Sequence, residues 1–224
     1  MGGSDLHGLS FKILDSINTN SVFLLDGITG SGKTEVYMSV MESVIKSKKQ
    51  CLVLLPEIGL TPQLIQRFKD RFKVHMAIQH SGLSDSERLK YWQDAKTGKA
   101  KIILGTRSAV WTPLLNPGIY IVDEEHDLSY KQHSGFQYSA RDLMIVRANR
   151  NGVPVILGSA TPSLETIHNT EKNRYIRLVL PVRAGVAKQP KYKLLDIKNK
   201  KMHGPLSQIL INEIDKNLKT NNQI

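Results

Sequence analysis

Cysteine is almost missing from these 224 residues, and the single Cys51 excludes both an internal disulfide and a zinc site built from several thiolates of this chain. No apolar run approaches the roughly 20 residues needed to span a bilayer. The opening MGGSDLHG has no charged region followed by an apolar one, so no secretion signal is expected. There is no internal repeat and no low-complexity segment. These absences point to a soluble, cytoplasmic chain with no membrane partner, in which Cys51, inside the apolar run QCLVLL, is a buried hydrophobe and not a reactive thiol. Aromatics make up only 6% of the sequence, so three of them between Tyr130 and Tyr138 stand out.

What is present is an ordinary globular composition, 40% hydrophobic and 23% charged, with a basic excess of +11. The excess is uneven: residues 1–170 carry 19 basic and 16 acidic side chains, and 171–224 carry 12 and 4. A field of this sign suits a polyanion, of which nucleic acid is the commonest.

Short apolar runs alternate with helical patterns. VFLL (22–25), CLVLL (51–55), KIIL (101–104), IYIV (119–122) and VPVIL (153–157) read as strands buried on both faces. Between them, Val36, Val40 and Val44 recur every four residues, TPQLIQRFKDRF opens with a Thr cap and a first-turn proline, and SDSERLKYWQDAKTG runs from a cap to Gly98. Strand and helix in alternation predict an α/β fold, a mostly parallel central sheet with helices on both faces, binding ligands at the carboxyl ends of its strands. The expected organisation is a lead-in over 1–20, its first eight residues tag-like, a lobe over 21–170, and a basic extension over 171–224 ending in a helix from Pro205 to Leu218.

The segment FLLDGITGSGKTEVY places Gly27, Thr29, Gly30, Ser31, Gly32, Lys33 and Thr34 between a strand and a helix. This is the phosphate-loop pattern: glycines let backbone N–H groups turn inward around an anion, the helix N-terminus adds partial positive charge, Lys33 reaches the terminal phosphates and Thr34 offers a hydroxyl to Mg²⁺. IYIVDEEHDLSYKQ ends a buried run with Asp123, Glu124, Glu125 and His126, an expensive accumulation of like charge unless a cation is expected there. Asp123 therefore reads as a second Mg²⁺ ligand and Glu124 as the carboxylate that orients and deprotonates the attacking water. Glu125 acquires no role by this reasoning. A guanine-reading Asn-Lys-x-Asp is absent, since Asn199-Lys200-Lys201 is followed by Met202.

Three further stretches, PEIGLTPQ after the second strand, GTRSA at 105–109 and GSATPS at 158–163, complete a series. With the phosphate loop and DEEH they resemble, in order, the first-lobe motifs of superfamily 2 helicases, and most closely the primosomal helicases that restart stalled bacterial replication forks. The resemblance spans nearly the whole chain. It implies a RecA-like lobe of an ATP-dependent 3'-5' DNA helicase using ATP and Mg²⁺, with primosome proteins and single-stranded DNA-binding protein as partners of the complete protein. In such helicases the segments matching Thr61 and Gln63, and Thr106 and Arg107, hold the phosphodiester backbone. His126 with Ser159 and Thr161 matches the pair that links hydrolysis to strand movement. The stretch DLSYKQHSGFQYSARD resembles an aromatic-rich loop that senses single-stranded DNA, which makes Tyr130, Lys131, Phe136 and Tyr138 candidate contacts. The glutamine through which such enzymes read adenine has no counterpart in LSFKILDSINTNS, and the second lobe with its arginine finger, the zinc module and the amino-terminal DNA-binding domain are not matched. Hydrolysis by this chain alone is therefore expected to be weak. The alternatives are another superfamily 2 translocase or an RNA helicase, a phosphoryl-transfer enzyme indifferent to polymers, and a nucleic-acid-binding scaffold.

Overall fold

Strands whose residues are apolar at every position require cover on both faces, and the helices between them provide it. A computed structural model describes residues 3–16, 19–183 and 194–219, the side chains of 3–7 excepted. In chain order the elements are α1 (Gly3–Asp15), β1 (Val22–Gly27), α2 (Lys33–Lys46), β2 (Gln50–Leu54), α3 (Pro62–Arg71), β3 (Met76–Gln79), α4 (Asp85–Lys96), β4 (Ile102–Gly105), β5 (Pro117–Val122), β6 (Lys131–Gln132), β7 (Tyr138–Ser139), α5 (Ala140–Asn151), β8 (Val155–Ser159), α6 (Leu164–Glu171) and β9 (Ile176–Leu180). Seven strands form one parallel sheet in the order β3-β4-β2-β5-β8-β1-β9, and β6 pairs with β7 in a separate antiparallel hairpin.

Alternation along the strands divides the interior into two cores. Phe23, Leu25, Cys51, Val53, Ile119 and Ile121 face Val36, Tyr37, Val40, Met41 and Val44 of α2, together with Ile13 of α1. Leu52, Leu54, Tyr120, Val122 and Leu157 face Ala140, Met144 and Ala148 of α5 on the other side. Each large side chain buried this way contributes about 1.5–3 kcal/mol. The helix starts follow the expected chemistry: Thr61 Oγ1 accepts from Leu64 N at 3.2 Å ahead of Pro62, and Ser84 and Glu87 close a reciprocal capping box.

Three expectations require correction. The lead-in is the helix α1, whose Ile13 is fully buried in the first core. The sheet does not end with residue 170: β9 adds to it alongside β1, because Leu178 and Leu180 bury their side chains there, and the compact unit runs over Met1–Ala187. β3 was not anticipated, since MAIQ is only four residues and carries no alternation. The second unit, Lys188–Ile224, contains a short hairpin of β10 (Met202–His203) and β11 (Leu206–Ser207) and the helix α7 (Gln208–Lys219); Pro205 lies in the hairpin turn, so the helix starts three residues later than expected. Cys51 is buried, and desolvation pushes its thiol well above the ordinary range, as its apolar setting requires. Among the described residues no helix is long and apolar enough to cross a membrane.

Candidate active site

The loop between β1 and α2 turns on Gly30 and Gly32, at φ 78° and 95°, values that glycine adopts without steric cost. Gly32 precedes α2, so the first turn of the helix presents its N–H groups at the loop. Lys33 is about nine-tenths buried; its ammonium donates to Gly27 O at 2.9 Å and stands 3.7 Å from Glu124 Oε1. Ser31 Oγ is buried without a hydrogen-bond partner among the described residues. A buried hydroxyl left without a partner where a glycine turn meets a helix N-terminus is the feature expected where an anion belongs. Thr29 and Gly30 are exposed at the tip, and Thr34 is half-buried one residue into α2.

The acidic turn leaves the end of β5, two strands from β1. Asp123 N continues the sheet by donating to Leu54 O at 3.0 Å. Asp123 Oδ1 accepts from the Tyr37 hydroxyl at 3.0 Å, which ties the turn to α2 one helical turn after Lys33. This contact passes the end of β8, where Gly158 leaves the space: a Cβ there would lie 1.5 Å from Tyr37 Oη. Burial, and then the charge of Glu124, raise the Asp123 carboxyl above its usual range, while Tyr37 and Lys33 pull the other way. Burial beside Asp123 also holds the Tyr37 phenol well above its ordinary value, so it remains a donor. Glu124 adopts φ 45°, a left-handed conformation that costs a non-glycine residue about 1–3 kcal/mol.

His126 Nδ1 and Ser159 Oγ lie 2.7 Å apart, Thr161 N donates to Ser159 Oγ at 3.0 Å, and Thr161 Oγ1 is 3.3 Å from His126 Nε2. His126 Nδ1, the nitrogen that faces Ser159, is also 3.7 Å from Glu124 Oε2. Lys33, Asp123, Glu124, His126, Ser159 and Thr161 thus form one contiguous group across the carboxyl ends of β1, β5 and β8. The donor set fits a magnesium–nucleotide complex, with an anion nest, an ammonium, a helix start and a carboxylate raised by burial in need of a cation.

The remaining candidates divide. Tyr130 is corrected: it is buried, and its hydroxyl donates to Asp123 O at 2.6 Å, so its ring cannot stack on a base. Phe136 is three-quarters exposed, and Tyr138 packs edge-on against Trp111 at 5.2 Å between ring centres. Trp111, half exposed, completes the trio with Phe136 at 6.2 Å; it lies outside the aromatic stretch and was missed. Lys131 and Gln63 are exposed. Arg107 donates to Ser129 O and Lys131 O, each at 3.1 Å, and so holds one foot of the β6–β7 hairpin. Thr106 is buried in the floor of a cleft of about 440 Å³ that Arg88, Trp92, Arg107, Trp111 and Tyr138 also line. Two residues beyond the expected set touch the phosphate-loop region: Arg177 pairs with Asp26, and Arg183 Nε donates to Thr29 O at 3.0 Å. Both lie past residue 170, where no sequence signal pointed to the loop.

Comparison with known proteins places this geometry in context. Residues 11–170 match the DEAD/DEAH box helicase family. The chain is 48% identical over 204 residues to the replication restart protein PriA of Haemophilus influenzae, covering 91% of this chain and 28% of that protein, and 41% identical over 205 residues to PriA of Bacillus subtilis, covering 92% and 25%. It therefore spans about a quarter of the length of these relatives. Among solved structures, RecG bound to a three-way DNA junction has a TM-score of 0.58 at 19% identity, covering 84% of this chain and 25% of that one. The Pyrococcus furiosus Hef helicase domain has a TM-score of 0.52 at 20% identity, covering 78% and 37%. At such identities these two likenesses speak for the fold alone.

Proposed function

The chain belongs to the DEAD/DEAH box helicase family, and from that premise we propose that it is the ATP-binding and hydrolysing motor lobe of a 3'-5' DNA helicase that remodels stalled forks for replication restart. The observation that carries the reading is the approach of Lys33 Nζ to 3.7 Å from Glu124 beside an unpartnered, buried Ser31 hydroxyl. On this reading the glycine turn wraps the phosphates, and Lys33 exchanges its bond to Gly27 O for one to the terminal phosphate. Thr34 and Asp123 are the residues that would hold Mg²⁺, which when bound neutralises charge on the phosphates. Glu124 orients the attacking water and accepts its proton. His126 links that carboxylate to Ser159 and Thr161, the element through which phosphate release is felt elsewhere. The similarity to PriA proteins supports DNA as the polymer and primosome proteins and single-stranded DNA-binding protein as partners of the whole protein in the cytoplasm.

The exposed rings of Trp111 and Phe136 would stack on bases of any identity while Arg107 and Lys131 favour phosphate. Turnover by these 224 residues alone should be weak, since the arginine-finger contribution of about 10³–10⁵ in rate belongs elsewhere; robust hydrolysis by this chain free of contaminating ATPase contradicts that. The central test is the ATPase rate of the whole protein with forked DNA, single-stranded DNA and RNA, with Glu124→Gln as control. Stimulation by DNA that disappears in the variant is expected. A rate indifferent to any polymer would instead mark a small-molecule phosphoryl-transfer enzyme, and stimulation by RNA alone an RNA helicase.

A further inference from the structure

The chemistry described above leaves one acidic residue without a part. Glu125 lies between Glu124 and His126, yet its side chain is fully buried on the opposite side of the turn. Its Oε1 accepts from Ser163 N at 2.7 Å, and its Oε2 from Thr166 Oγ1 at 2.9 Å, Ser163 Oγ at 3.1 Å and Arg141 Nη1 at 3.1 Å. Its backbone N–H donates to Gly158 O at 2.9 Å. A buried carboxylate is tolerated only when paired and fully hydrogen-bonded, and this one meets both conditions.

The partners come from two directions. Ser163 caps α6 and Thr166 lies in its first turn, so one side of Glu125 grips the helix that follows Ser159 and Thr161. Arg141 lies two residues past the end of β7, in the first turn of α5, at the foot of the hairpin that carries Phe136. It is mostly buried, donates also to Ser163 Oγ at 3.0 Å and to Asp142 at 2.8 Å, and although burial opposes it, the carboxylates of Asp142 and Glu125 hold its guanidinium above the ordinary value. The other foot of the hairpin is held by Arg107.

We infer that Glu125 is a positioning residue: by clamping Arg141, Ser163 and Thr166 it holds the strained Glu124 and its neighbour His126 in hydrolytic register, and it is the rigid link from the aromatic hairpin to that carboxylate. The inference rests on the proposed motor function. Chemistry selects the residue type. Glutamine at 125 has one acceptor oxygen, so its amide nitrogen must face either the Ser163 N–H or the Arg141 guanidinium, donor against donor; the Ser163 and Thr166 hydroxyls can turn to accept, but those two groups cannot.

The test uses the whole protein carrying Glu125→Gln, Thr166→Val or Arg141→Lys, with thermal melting, affinity for a fluorescent ATP analogue, and kcat and KM for ATP with and without single-stranded DNA. Expected for Glu125→Gln is a fall in kcat of about 10- to 100-fold, with KM and analogue affinity within about threefold, because the phosphate loop is untouched. Arg141→Lys should lower the DNA-stimulated rate more than the DNA-free rate. Unchanged kcat in a folded Glu125→Gln, or equal losses with and without DNA in Arg141→Lys, would overturn the inference. If Glu125→Gln does not fold, Thr166→Val, which deletes one donor of the clamp, decides: a kcat reduced at constant KM supports the inference, an unchanged kcat refutes it. An unsubstituted protein that hydrolyses ATP without responding to DNA would defeat the motor reading, and the DNA-free kcat of Glu125→Gln would still test the clamp.

Discussion

The carboxyl edge of the sheet is built by two opposite rules. Around β1, β5 and β8, polar groups are matched within the protein, the buried Ser31 hydroxyl excepted: Lys33 to Gly27 O, Tyr37 and Tyr130 to Asp123, Ser159 to His126, Glu125 to its donors. Toward the β6–β7 hairpin, Trp111 and Phe136 stand half or more in solvent, and the cleft beside them is open. Yet the support beneath is firm, since Arg147 of α5 donates to Val110 O and, at 2.9 Å, to Thr112 O on either side of Trp111. Reaction chemistry needs groups held within fractions of an ångström, which burial supplies. A polymer that presents any base in turn needs ring faces and positive charge, which exposure supplies.

The sharpest way to separate the halves is Glu124→Gln, which should lower kcat of the whole protein by about 10²- to 10⁴-fold with nucleotide affinity retained, read by steady-state ATPase. Next, Trp111→Ala and Phe136→Ala should each weaken single-stranded DNA binding by about 5- to 150-fold in a fluorescence anisotropy titration, with no change in affinity for the ATP analogue. Tyr130→Phe probes the border. It should cost about 1 kcal/mol, seen as a melting point lower by about 2–4 °C, and leave DNA affinity alone, because the lost hydroxyl serves Asp123.

The smallest effect concerns Asp94, at the end of α4, the helix that carries Arg88 and Trp92 into the cleft. Its carboxyl is held below the usual range, first by the hydrogen bond to His75 at 2.8 Å and then by Lys99. A depressed folded-state pKa stabilises above the unfolded value near 4 and is lost as pH falls through the folded one. Asp94→Asn should therefore lower the melting point at neutral pH by less than about 3 °C, a difference that vanishes in acid.

Much of the central sheet was legible because its signals are local. The apolar runs at 22–25, 51–55, 101–104, 119–122 and 153–157 lie in β1, β2, β4, β5 and β8 with shifts of a residue or two, and Thr61 and Ser84 cap helices as their spacing predicts. β3 and β9 were not legible, the first because four residues carry no periodicity and the second because its exposed Ile176, Arg177 and Val179 mask the two inward leucines. In the site, motif spacing named Lys33, Asp123 and Glu124 but not Glu125, whose partners lie 16 to 41 residues away and are brought in only by the crossover through α5. Tyr130 was misread for the same reason: composition cannot tell a ring turned inward from one turned outward.

Gly158 turns the middle of the sheet into a keyhole. α2 and the acidic turn after β5 meet through Tyr37 and Asp123 because, one residue before the end of the strand between them, a hydrogen stands where the neighbouring strands carry side chains. A single methyl group added there would expel the phenol from its slot, and the two sides of the proposed nucleotide site would lose their common ruler with every proposed catalytic atom still in place.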